Sequence, residues 1–86
     1  PVAEGRAHVG EGLFLRFYFN EQTQTIAFAL ILGDDDKRRV WGIDRDNRRG
    51  WHEHPADRPT DHVSIEPPAI AEIVARLNSV LEEHFS

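Results

Sequence analysis

Eighty-six residues, 40% of them hydrophobic and 29% charged, make one small globular domain with a modest core. Without cysteine the chain has neither disulfides nor thiolate metal sites, so packing or a partner must hold it together. Its net charge of −5 excludes a uniformly basic nucleic-acid binder, and no apolar run approaches the roughly 20 residues that span a bilayer.

Residues 1–11 (PVAEGRAHVGE) are glycine-rich, charged and aperiodic, and read as a flexible arm or a weak edge strand; residues 12–86 read as a single α+β domain. From Leu13 the period is two: Leu13, Leu15, Phe17 and Phe19 point one way, and Phe14, Arg16 and Tyr18 the other. The polar run 20–24 is a loop. A second strand follows, with Ile26, Phe28, Leu30 and Leu32 on one face and Thr25, Ala27, Ala29 and Ile31 on the other. Residues 33–37 (GDDDK) carry turn chemistry. A third strand is predicted from about Arg38 to Arg45, with Trp41 and Ile43 facing in. Residues 46–61, dense in Pro, Gly, Asn and charge, are expected to be irregular. A short strand, His62–Ile65, comes next. Ile70, Ile73, Val74, Leu77, Val80, Leu81 and Phe85 then recur at helical spacing, after Pro67 and Pro68 in a first turn that tolerates proline. They predict an amphipathic helix of about five turns, with Glu72, Arg76, Glu82 and Glu83 on its wet side. The expected fold is a small two-layer α+β domain, an antiparallel three- to four-stranded meander packed on one C-terminal helix. The other sheet face, carrying Arg16, Tyr18, Ala27 and Ala29, is flat and suits a ligand or a second copy in a homodimer.

Charge is unevenly placed along this frame. Residues 37–58 hold seven of the ten cationic side chains and only four of the fifteen acids, with both tryptophans, His52 and His54. A positive zone in an acidic chain is what a polyanion site needs. Imidazole both takes and gives a proton near neutral pH, so His52, His54 and His62 are candidate catalytic groups, with Asp46 beside them. Arg45, Arg48 and Arg49 are candidates for binding a substrate phosphate, and Trp51 for stacking a base or, instead, for closing the end of the core; Asp46-Asn47 before Gly50 equally suits a strand-ending turn. RNA carries its own nucleophile in the 2′-hydroxyl, so these groups would suffice for cleavage without a metal. His52-x-His54 places two imidazoles on one side of an extended segment, and Asp57, Asp61 or His62 would complete a metal shell. The nearby arginines oppose a divalent cation, so no metal and no other cofactor is expected. Two further matches fall to context. Arg45-x6-His52 has a spacing used by helical ribonucleases, but here it spans a turn. An N-terminal proline is the base of the tautomerase superfamily, where it opens a buried strand, but the residues after Pro1 predict no such strand.

The pieces 45–47 (Arg-Asp-Asn), 51–55 (Trp-His-Glu-His-Pro), 61–63 (Asp-His-Val) and the helix from Pro68 to Phe85 occur in the order found in the TumE-like toxins of prokaryotic toxin–antitoxin pairs, a family this chain resembles over residues 38–85. It differs in having Asp44-Arg45 before Asp46 where the family has an aromatic residue, and a single later histidine. The resemblance implies a cytoplasmic, growth-inhibiting toxin that attacks RNA and is neutralised by an antitoxin protein. The rival expectation is a non-catalytic interaction or dimerisation module whose basic loop is a docking patch.

Overall fold

The computed structural model describes residues 1–33 and 38–85; most of the predicted turn at 33–37 lies outside the described residues. Six strands form one antiparallel meander in the order β1-β2-β3-β4-β5-β6, followed by one helix. They are β1 (Val2–Gly10), β2 (Leu13–Asn20), β3 (Thr25–Leu32), β4 (Arg39–Asp46), β5 (Gly50–His54), β6 (Val63–Ser64) and α1 (Ile70–Phe85). The expected fold class stands, with a larger sheet than the three or four strands expected.

Residues 1–11 are settled as an edge strand, since β1 pairs with β2 along its length from Val2↔Asn20 to Gly10↔Leu13. Pro1 does precede a strand, but one whose residues are mostly exposed. The reading of 46–61 as irregular is overturned by β5, which returns along β4 with Asp44↔His52 and Gly42↔His54 in register. The turn between them explains it. Asp46 Oδ1 accepts the backbone N–H groups of Arg48 (2.9 Å) and Arg49 (2.7 Å), and Gly50 takes a φ of +67° that other residues rarely adopt. A tight turn after a strand sends the chain back as another strand.

Register gives the sheet two distinct faces. Leu15, Leu30 and Trp41 lie in one cross-strand row, and Phe17, Phe28, Ile43 and Glu53 in the next. The helix covers this face, and Leu13, Leu30, Trp41, Ile43, Ile73 and Leu77 form the buried core. Glu53 is the polar tie beneath it: its carboxylate accepts the Trp41 indole N–H at 2.9 Å and Arg76 Nη1 at 2.6 Å. Arg76, expected on the wet side, therefore anchors the helix to β5.

Two further expectations for the helix change. It begins at Ile70 rather than in a proline-containing first turn, with Ala69 C=O accepting the first helical N–H groups and Glu72 Oε1 accepting the Ala69 N–H at 3.3 Å. That is the carboxylate half of a capping box. Ile70 and Val74, assigned to the apolar stripe, are 70% and 49% exposed, because the sheet reaches only the Ile73/Leu77 side of the helix.

Candidate functional site

The second face of the sheet, away from the helix, carries Arg16 and Tyr18 on β2, Ala27 and Ala29 on β3, Arg39, Gly42 and Asp44 on β4, and His52 and His54 on β5. Arg39 and Asp44 are an odd number of residues apart and would lie on opposite faces of a regular strand. An irregularity where Leu30 pairs with Trp41 and Ile31 with Arg39 inserts Val40 as an extra residue, which puts Arg39 on the Asp44 face. Gly42 between them has no side chain to obstruct Arg39, whose Cδ passes 3.3 Å from where a Cβ would stand. Small residues on β3 leave a shallow cavity of about 280 Å³ lined by Arg16, Tyr18, Ala27, Ala29, Arg39 and Asp44.

At the β5 end of this face three imidazoles converge. The ring centroids of His52, His54 and His62 lie 4.6–5.3 Å apart, and one nitrogen from each lies within 4.8 Å of the others. His52 and His54 are buried, at 3% and 1% exposure; His62 is exposed. The Pro55–Asp61 loop brings His62 back over the pair, folded by turns in which Arg58 N–H donates to Pro55 C=O and Asp61 N–H to Arg58 C=O. Asp44 stands at the centre. Its Oδ2 is 3.0 Å from His54 Nε2, 3.6 Å from His52 Nε2 and 3.3 Å from Arg39 Nη1. Its Oδ1 is buried without a hydrogen-bond partner among the described residues. His52 Nδ1 lies 3.1 Å from Gly50 C=O, and His54 Nδ1 lies 3.1 Å from Pro59 C=O and 3.3 Å from Arg39 Nη2. Burial, and then the Arg39 guanidinium, hold His54 below the usual imidazole range. His62 is held low as well, first by loss of water among the packed rings and next by Arg49.

The residues singled out in the sequence divide between the two faces. His52 and His54 share one face, as the His-x-His spacing implied, and His62 joins them. Asp57 and Asp61 do not join them; both lie beside the Arg58 guanidine at the surface. Trp51 points to the helix side and packs against the core, and Arg45, its register partner, shares that side and donates to Gln24 C=O at 2.7 Å. Neither adjoins the histidines. Asp46 serves the turn through Oδ1, and those two backbone N–H groups lower its pKa. Arg48 and Arg49 sit in the same exposed turn, and Asn47 Nδ2 secures it to Thr23 C=O at 2.9 Å. Sequence reasoning missed Arg39 and Asp44, which belong to the cluster. The alternation of Gly42, Asp44, His52 and His54 opposite Trp41, Ile43, Trp51 and Glu53 was the available signal.

Chemically, the site offers three imidazoles and a carboxylate as donors to a cation, with His62 open to solvent, and a guanidinium able to meet an anion on the open face. Among the described residues no helix is long and apolar enough to cross a membrane. No family model, no curated protein and no solved structure matches this chain.

Proposed function

We propose that this chain is an RNA-directed, ribonuclease-like toxin of a toxin–antitoxin pair, acting in the cytoplasm, with its reaction centre at His52, His54, His62, Asp44 and Arg39. The observation that carries the reading is the convergence of three imidazoles, a carboxylate and a guanidinium at one end of an open sheet face. In the reaction the RNA 2′-oxygen bonds to the adjacent phosphorus while the bond from phosphorus to the 5′-oxygen breaks, leaving a cyclic phosphate and a 5′-hydroxyl. The cluster takes the proton of the 2′-hydroxyl and returns one to the departing oxygen. Arg39 is placed to bind the phosphate whose charge builds up during the step, and Arg48 and Arg49 draw the polyanion in from the turn.

RNA integrity in cells after induced expression tests this. His62→Ala and Asp44→Asn are the variants to compare with wild type, because His62 is exposed and Asn keeps the shape of Asp. Cleavage by wild type and intact RNA with the folded variants is the expected outcome. Intact RNA and normal growth with all three overturn the reading.

A second reading, a non-catalytic interaction module, is favoured by the exposed Ile70 and Val74 on the outer side of the helix. It predicts that Ile70→Asp/Val74→Asp abolishes capture of a partner while the histidine variants leave capture unchanged.

A further inference from the structure

With neutral rings, the hydrogen-bonding arithmetic of the histidine cluster does not close among the described residues. Each neutral imidazole has one N–H and one bare nitrogen. If His54 carries its proton on Nδ1, it donates to Pro59 C=O, and its bare Nε2 faces Asp44 Oδ2 at 3.0 Å with no hydrogen between them. If the proton is on Nε2, that contact is satisfied, but bare Nδ1 then abuts Pro59 C=O at 3.1 Å and has only Arg39 Nη2 as donor. Both tautomers leave two electron-rich atoms pressed together. A cation on Nε2 satisfies both sides at once, leaving Nδ1–H on Pro59 C=O and giving Nε2 and Asp44 Oδ2 a shared partner.

His52 repeats the pattern. With Nδ1–H donated to Gly50 C=O at 3.1 Å, its bare Nε2 also turns toward Asp44 Oδ2, at 3.6 Å. Asp44 Oδ1, buried and unpartnered, adds another electron-rich atom. His62 brings a third imidazole within 4.8 Å of the other two. Imidazoles that donate one nitrogen to a backbone carbonyl and converge through the other are oriented as metal ligands usually are.

We propose that His52, His54 and His62, together with Asp44, hold one divalent transition-metal cation of the zinc type at the β5 end of the open sheet face. Imidazole nitrogens with a single carboxylate suit Zn²⁺, Co²⁺ or Ni²⁺, not Mg²⁺ or Ca²⁺, which take oxygen ligands. The cation removes the unpaired contacts: Nε2 of both buried histidines gains a partner while each Nδ1–H stays on its carbonyl. Arg39 is the competitor, because its guanidinium lies 3.3 Å from Asp44 Oδ2. At about one-third exposure it can swing toward solvent as the cation enters. Exposed His62 marks the solvent side, where water completes the shell. The assignment goes beyond the proposed reaction and does not depend on RNA being the substrate; toward RNA, a cation held there would lower the pKa of a bound water, so that the resulting hydroxide would take the 2′-hydroxyl proton in place of an imidazole.

The test is Co²⁺ and Zn²⁺ binding by the whole chain after dialysis against a chelator, followed by visible absorption for cobalt and calorimetry for zinc. One equivalent should bind, with visible bands stronger than those of the hydrated cobalt ion, as a four- or five-coordinate site gives. His62→Ala, whose folding is checked by circular dichroism, should bind at least about tenfold more weakly. Arg39→Gln should bind at least as tightly as wild type. Absence of uptake by the folded wild type overturns the proposal, and so does undiminished binding by His62→Ala. Cobalt bound as described with RNA left intact removes the ribonuclease reading alone. RNA cleavage in chelator by a chain that takes up no cobalt removes the metal site alone.

Discussion

At Gly42 the backbone of β4 runs close to β3 and beneath the Arg39 side chain. A Cβ there would stand 2.9 Å from Phe28 C=O and 3.3 Å from Arg39 Cδ. The carbonyl belongs to the sheet ladder and cannot retreat, so Gly42→Ala should cost about 1–3 kcal/mol of stability, in the range of overpacking a filled interior. Urea unfolding measures it. The same variant should lift Arg39 off Asp44, since Cδ is the atom it strikes. His54 tells a related story: it is the most buried polar side chain of the cluster, and it lies opposite the one β4 residue without a side chain. Single residues of this kind were not legible in the sequence. Gly42 looked like any strand glycine, and Arg39 like one more member of a basic run.

At the scale of elements, Glu53 joins three of them: β5 carries it, Trp41 of β4 donates to one oxygen and Arg76 of α1 to the other. Glu53→Ala strands the fully buried indole N–H of Trp41 and should cost about 1–3 kcal/mol, the usual penalty for an unsatisfied buried donor. Arg76→Ala leaves that bond intact and removes only a partly exposed pair, so its cost should stay near or below about 1 kcal/mol. Thermal unfolding of the two variants distinguishes them. The helix and strands β2 to β4 were legible from periodicity, because each carries a full apolar stripe that only one face can bury. β5 was not. It is five residues long, and two of its alternating positions are histidines, so its second face carried no apolar signal.

At the scale of the whole molecule, the sheet separates two tasks. One face and the helix hold the fold together; the other presents the cluster and the shallow cavity beside it. β1 contributes little to the first task, since Val9 alone of its residues packs against the core. Removing residues 1–10 should therefore leave a folded chain, but one with the whole β2 edge unpaired and open to another copy. Size-exclusion chromatography should show concentration-dependent association of the truncated chain beyond that of the full chain. A truncated chain that unfolds would show that β1 is needed for folding.

Composition and spacing by themselves determined the two-layer α+β architecture, the helix and its core residues Ile73 and Leu77, strands β2 to β4, and the histidines as a group. These properties are local: a period of two or of 3.6 is written in neighbouring residues, and the hydrophobic effect reads it directly. Only the tertiary structure decided which charged residues meet. The extra residue at Val40 inverts the alternation, so Arg39 joins Asp44, while Arg45 and Trp51 leave the histidines for the other side of the sheet. Register across strands sets that partnership, and register is a product of pairing between distant segments, where a displacement of one residue sends a side chain to the opposite face.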